Sequence, residues 1–443
     1  MGWIAKHWNG AEWFSLPAIG LAGFLIGLAV LGTYLASTGP QRTTGKEKKI
    51  KLVLATIPSP VFRVAIDGAV KTFKREHPQV EVQILEIGGN YYQKILIMMA
   101  SRMAPDLMWM GQSFGEFADR GAFLDITDRV ARDVDLKKFH PQAIEWYRRN
   151  GRQIGIPYTI DLSIIVYNKA LFDEAGISYP SEDWDFNEFL TKARALTRDR
   201  NGDGRTDQFA YSGGFVAEGW GPPFIDLNGP KATVDTPGRT EYHQIMLRLR
   251  DVEHITPSEI EQQQAGSHDQ IGLFLCGRYA MIAAYTWDWQ RLLSQLADMD
   301  WDIALYPRAR RRAHWASSGA YMISAETKHP DEAWELNKLL FGEEFMLTAA
   351  INGGIPADLE VARKMVAKHR GKPASLYLWV KATDYMYPCP RVPHLQEFQS
   401  IVGRWSEEIG AKLISPEEGL RRAQYELTRA IEKARERGAF KAN

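Results

Sequence analysis

The sequence predicts an α/β protein of two lobes, preceded by one N-terminal transmembrane helix. Three observations carry that prediction. The chain has 443 residues, more than one compact core accommodates, so two lobes are expected. From residue 50 onward, strand-like and helix-like segments alternate as β-α-β-α-β, which implies a parallel sheet flanked by helices. Leu16 to Ala36 is a run of 21 residues without a charge, enough to span roughly 30 Å of hydrocarbon as a helix.

Residues 1–15 form a tail whose Trp3, Trp8, Trp13 and Phe14 precede the apolar run, and Tyr34 lies near its far end, where interface aromatics sit. A cleavable signal peptide needs a shorter apolar core and small residues at its cut site. Ala36-Ser37-Thr38 is a poor match and no cysteine follows for lipid attachment, so residues 16–36 read as an uncleaved signal anchor. Lys6 alone precedes the span, whereas Arg42, Lys46, Lys48, Lys49 and Lys51 follow it, and that count would leave the large domain in the cytoplasm. Residues 37–49, polar with Gly and Pro, read as a linker.

Ile50 to Thr56 is an apolar strand ended by Pro58 and Pro60. Val64, Ile66, Val70 and Phe73 recur at helical spacing until Pro78 stops the helix. Val80 to Ile87 alternates as a strand, Tyr91 to Met103 is a second helix, and Leu107 to Met110 is a third strand. Ligands of such sheets bind beyond the carboxyl ends of the strands, here Pro58–Phe62, Gly88–Tyr92 and the stretch 111–114 containing Gln112. In Ile154 to Lys169 (IGIPYTIDLSIIVYNK), Leu162 to Tyr167 reads as a fully buried strand, and Pro157 excludes a helix just upstream. Asp161 places one carboxylate at the mouth of that strand, either to cap a turn or to meet a ligand where the segment crosses between lobes.

Farther on, Asp199, Asn201 and Asp203 stand at loop positions one, three and five, with Gly204 at six, the Arg205 carbonyl at seven and Asp207 at nine. This is the oxygen spacing of a calcium loop, yet position twelve is Ala210 where a bidentate glutamate belongs. A structural Ca2+ and a solvated Asx-rich turn both remain open. Phe215 to Gly229 is a Gly/Pro-rich loop carrying Glu218 and Trp220. Tyr279 to Tyr285 reads as a strand after a helix end near Cys276-Gly277, Trp301 to Tyr306 as another, and Ser317 to Ser324 as a return strand. Arg308 to Arg312 is a basic turn between them. Ser415, with Pro416 at the first helical position and Glu418, opens the last helix.

FKREHPQVEV, YYQKI, APDL and FGEFADRGAFLDIT, followed by GIPYTIDLSIIVYNKALFDEAGISYP and WDFNEFLTKARALTRDRNGDGRTDQF, resemble in order and spacing the extracellular solute-binding proteins of sugar ABC transporters, the maltose-binding-protein-like family. The resemblance covers most of residues 50–440. It implies the two-lobed periplasmic-binding-protein fold, with crossing strands, a hinge and a binding domain on the periplasmic side. That side conflicts with the count of positive charges. The matched segments imply lobe 1 over 50–160 and 300–355, and lobe 2 over 161–299 and 356–443. They put Asp161 at a sugar-binding acid, which would accept charge-assisted hydrogen bonds from two hydroxyls. Trp287 and Trp289 match a W-x-W pair at the cleft, where an indole face covers the C–H face of a pyranose. Trp220 and Glu218 lie in a loop that faces the cleft in relatives, although Trp220 is equally a core candidate. Tyr321 and Asn352 border it. Where relatives carry a sugar-stacking Trp after Val392-Pro393 and Phe398, this chain has Gln399, which argues against maltose specificity.

Lys+Arg and Asp+Glu balance at 54 each, so no global field favours nucleic acid. The chain has only Cys276 and Cys389, which excludes a disulfide framework or a cysteine-rich metal site. No second acid stands at defined spacing from Asp161 or Glu218, and neither Gly-x-Ser-x-Gly nor His-Glu-x-x-His occurs, so an enzyme is not expected. The expected function is therefore the substrate-binding component of an ABC importer, presenting a carbohydrate, an oligosaccharide foremost, to permease subunits. A solute-binding protein for a non-sugar ligand and a membrane-tethered sensory protein are the alternatives.

Overall fold

The computed structural model describes residues 49–111, 114–226, 230–265, 269–351, 353–387 and 392–437. The transmembrane expectation at Leu16–Ala36, the candidates Gln112 and Asn352, and Cys389 all lie outside the described residues. No helix among the described residues is long and apolar enough to cross a membrane.

The first sheet is built from β1 (Ile50–Thr56), β2 (Val80–Glu86) and β3 (Leu107–Met110), with β1 central and parallel to both neighbours. The crossovers are α1 (Pro60–Glu76) and α2 (Tyr91–Ala100). α1 starts where Ser59 accepts a hydrogen bond from the Phe62 N–H, with Pro60 at its first position. Its Ala65, Ile66, Ala69, Val70 and Phe73 are buried against the sheet, the stripe that helical spacing requires.

The strand expected over 162–167 is longer. β4 runs from Ile156 to Asn168, 13 residues, and all but Asp161 are buried. β5 (Phe209–Ser212), β6 (Tyr279–Tyr285), β7 (Trp301–Ala304) and β8 (Ala316–Ile323) follow, and Ile355–Pro356 adds a short antiparallel pairing against Ile160 and Thr159 of β4. β8 lies antiparallel between β3 and the first half of β4, whereas Ser163–Asn168 of β4 pairs with β6 and β7. Pro157 is tolerated inside the strand because the β4–β8 register slips at Gly319/Ala320, beside the missing N–H. One strand therefore belongs to both sheets and is the physical link between the lobes. β7, expected with lobe 1 from residue 300, is hydrogen-bonded in the second sheet. Leu359–Lys368, expected with lobe 2, packs against Glu343–Ala350 of the first.

One core cluster fills the first lobe and continues along one face of the second sheet, and a second, including Phe189, Tyr211 and Met281, covers its other face. A third joins α4 (Pro237–Asp251), α5 (Leu395–Gly410) and α6 (Pro416–Glu436) through Phe398, Ile409, Leu420 and Leu427, with Ile225 and Val234. α6 begins as its sequence predicts, with Ser415 accepting from the Glu418 N–H and Pro416 first.

Candidate functional site

Asp161 is the one residue of β4 that is not fully buried. Its carboxylate accepts from the Thr286 hydroxyl at 3.0 Å and from Ser317, its register partner on β8. Burial with no cation beside it raises its pKa to about 6, and the two hydroxyl donors oppose that shift. Thr286 is the first residue after β6, so the same short turn that holds Asp161 also presents Trp287.

Trp287 is 54% exposed. Its ring lies parallel to Tyr285, 4.5 Å between centroids and 6° between planes, and Trp315 stands perpendicular to both at 5.5 Å. A large aromatic face backed on one side and open on the other is a ready surface for the apolar face of a sugar ring. Trp315, Tyr285 and Thr286 were not signalled by spacing. Trp315 stands two residues before Ser317, and the period-two rule extended back from Ser317 could have found it.

A crevice of about 800 Å³, its open mouth included, adjoins Asp161 through Ser317 and Ser318. Its walls come from the first lobe (α3, Phe114–Asp119, and the stretch 146–149) and from the start of α5, including His394, Gln396 and Gln399. Gln399, the departure from the family's tryptophan, thus faces the crevice.

The remaining expected contacts lie elsewhere. Trp220 is 5% exposed and packs edge-on against Phe186, with Phe215 and Tyr242 around it. Trp289 is 6% exposed and meets Trp379 edge-to-face at 4.7 Å. Tyr321, 2% exposed, stacks on Tyr158 and shares a 3.0 Å hydrogen bond with Thr56. All three side chains are buried in the core. Glu218 is bound at 2.5 Å by Arg239, in an ion pair almost wholly out of water. Asp288 accepts from the Tyr285 N–H and closes the turn, a structural role.

In the loop 199–207, Asp199 accepts from the N–H groups of Gly202 and Gly204, both at 2.7 Å. Asn201 accepts from Asp203, Asp203 from Arg205, and Asp207 from Arg200 and Asn201. These Asx turns hold the loop by themselves, and among the described residues no three acidic, His or Cys side chains converge as a metal shell.

Two α/β lobes joined by a shared strand, with Asp161 and the exposed face of Trp287 close to that strand, have the two-lobed architecture of a periplasmic-binding-protein fold. The chain matches the family model "Bacterial extracellular solute-binding protein" over residues 59–346 and belongs to that family, whose members bind solutes outside the cytoplasm. Among its relatives is a maltotriose-binding protein of Pyrococcus abyssi, 23% identical over 328 residues, 72% of this chain and 68% of that one. An arabinooligosaccharide-binding protein of Halalkalibacterium halodurans is 25% identical over 255 residues, 54% and 55% of the two chains. An ABC substrate-binding protein from Listeria monocytogenes, solved with cycloalternan, superposes with a TM-score of 0.74 at 20% identity, covering 87% of this chain and 99% of that one.

Proposed function

We propose that this protein is the substrate-binding component of an ABC importer, taking a carbohydrate into the cleft and presenting the closed form to a permease. The observation that carries this reading is the junction of Trp287 with Asp161 through Thr286. There, an open indole face backed by Tyr285 meets a carboxylate able to accept two ligand hydroxyls. The relatives and the superposing structure named above are oligosaccharide binders by their descriptions, which supports the same class of ligand. Hydrogen bonds from sugar hydroxyls to Asp161, and packing on Trp287, would favour the closed state over the open one.

The test is thermal unfolding of the full chain in mild detergent, against a panel of mono- and oligosaccharides with amino acids and polyamines as controls. A ligand at ~100 times its dissociation constant adds roughly 2.7 kcal/mol, seen as a rise in Tm. A rise with a sugar, lost in Trp287→Ala, supports the reading. A rise with amino acids or polyamines alone keeps the fold and removes carbohydrate as the ligand.

Two further parts rest on sequence. Residues 16–36 would tether the binding domain to the membrane on its outer side; resistance to alkaline extraction supports this, and release into the soluble fraction overturns it. Calcium at Asp199–Asp207 rests on spacing alone, and its test is a rise in Tm with millimolar Ca2+ over chelator.

A further inference from the structure

We propose that Trp315 is a positioning residue for the candidate ligand face. It holds the indole of Trp287 in one orientation against Tyr285, and so fixes where a ligand lies relative to Asp161, without itself touching the ligand. That the ligand is a saccharide rests on the carbohydrate reading above.

The first observation is the geometry of the three rings. Tyr285 and Trp287 lie within 6° of parallel, and Trp315 stands across them at 89° and 85°, 5.5 Å from each centroid. Equal distances put Trp315 beside the middle of the stack, in the edge-to-face arrangement that aromatic pairs favour. A sugar packed on the open face of Trp287 lies a further ring spacing out along the stack, away from Trp315. The influence of Trp315 on a ligand therefore passes through Trp287. That indole needs a brace: it lies in the turn that follows Tyr285 and is 54% exposed, and exposed side chains change rotamer within nanoseconds. Tyr285 covers one face of Trp287 but does not stop it sliding in its own plane. A ring standing at right angles does.

The second observation is how Trp315 is itself held. It is half-buried, and its carbonyl accepts from the Ser163 N–H at 3.1 Å, which fixes its backbone to β4. Two residues on, Ser317 bonds the Asp161 carboxylate. From the other side Thr286 donates to the same carboxylate at 3.0 Å and is followed by Trp287. Asp161 and Trp287 are thus tied by two routes, the backbone of the turn 286–288 and the Trp315–Ser317 end of β8. The first fixes where Trp287 leaves the chain, and the second fixes where its ring points. An acid and a stacking face held at one spacing bind a ligand without the entropic cost of ordering the indole.

The test is a double-mutant cycle read by calorimetry on the full chain in mild detergent, with maltotriose, arabinotriose and cycloalternan as probes. For a probe that binds, Trp315→Leu keeps an apolar side chain but removes the wall. It should weaken affinity about fivefold, the scale of one lost aromatic contact or one side chain ordered on binding. Trp315→Phe, which restores a ring at that place, should recover most of the loss. Added to Trp287→Ala, Trp315→Leu should change affinity by less than about twofold, because no indole is left to orient. A second readout needs no ligand. With fluorotryptophan in the chain, the fluorine NMR line of Trp287, identified by its loss in Trp287→Phe, should be single in the parent and in Trp315→Phe. In Trp315→Leu it should broaden or split, while the lines of the fully buried Trp184 and Trp334 stay as they are. A further loss of about fivefold in the double variant overturns the inference, because Trp315 then meets the ligand itself. So does a Trp315→Leu variant that binds as tightly as the parent, or one whose Trp287 line is unchanged. If no sugar binds, the carbohydrate reading falls, while the Trp287 line still decides whether Trp315 sets its orientation.

Discussion

Asp161→Asn is a substitution whose effect can be worked out from the site. The carboxyl titrates near pH 6 in the folded protein against a reference of 3.8, so between those values the native state holds a proton that the unfolded chain has released. Stability therefore falls as pH rises through this window, because ionising Asp161 in place costs about 3 kcal/mol by pH 7 and only about 0.6 kcal/mol at pH 4. Asparagine removes the ionisation and keeps the shape. Its amide oxygen can accept from Thr286, as Asp161 does at 3.0 Å, and its NH2 can donate to the Ser317 hydroxyl. The variant should thus gain stability relative to the parent with rising pH, by about 2 kcal/mol between pH 4 and pH 7. The assay is urea unfolding followed by tryptophan fluorescence at half-unit pH steps, extrapolated linearly to water. A stability difference that is flat with pH, or one that moves against the variant as pH rises, would refute a desolvated, cation-free Asp161. The same variant should lose sugar affinity, since an amide cannot offer two charge-assisted acceptors.

Glu218→Ala leaves Arg239 buried without its partner and should cost about 3 kcal/mol of stability, with sugar affinity unchanged in calorimetry; weakened binding at full stability would return Glu218 to the cleft. Trp287→Ala and Trp289→Ala should separate cleanly. The first should weaken sugar binding with a stability change under about 0.5 kcal/mol, as an exposed residue does. The second should destabilise by about 3–5 kcal/mol through the cavity left beside Trp379. His314 sits wholly buried, its Nδ1–H donating to the Ser163 carbonyl at 2.8 Å and its Nε2 accepting from the Tyr306 N–H, and burial lowers its pKa to about 4. A lowered histidine favours folding above its unfolded pKa, near 6.5, and that contribution of about 3 kcal/mol fades as pH drops towards 4. His314→Gln should flatten the acid limb of the unfolding curve, and an unchanged limb would show that His314 does not titrate there.

Much of the framework was legible because it depends on local periodicity. β1, β3 and β6 were placed to the residue, and α1 was placed to within a turn, because apolar spacing and the prolines at 60 and 78 act within a few residues of chain. The site was legible only where a contact is local. Trp287 and Trp289 look equivalent if the W-x-W pair continues a strand. The strand ends at Tyr285, though, and Thr286–Asp288 turn into a helix starting at Trp289, so the two indoles point to unrelated places. Glu218 looked like a cleft acid because Arg239, which claims it, lies on α4, 21 residues away. Trp315 was within reach only by extending the return strand back from Ser317, and its place beside Tyr285 and Trp287 arises from long-range packing against the end of β6.

The shared strand β4 also limits how the gene can be divided. Residues 156–162 complete the first sheet and residues 163–168 the second, within one uninterrupted 13-residue segment. A fragment cut on either side of it strips one sheet of an interior strand and bares the hydrogen-bonding edge of β8, or of β6 and β7, as a template for self-association. Half-length fragments of this protein should therefore aggregate when made singly. Only fragments produced together, with β4 whole in one of them, retain a route to the native pairing.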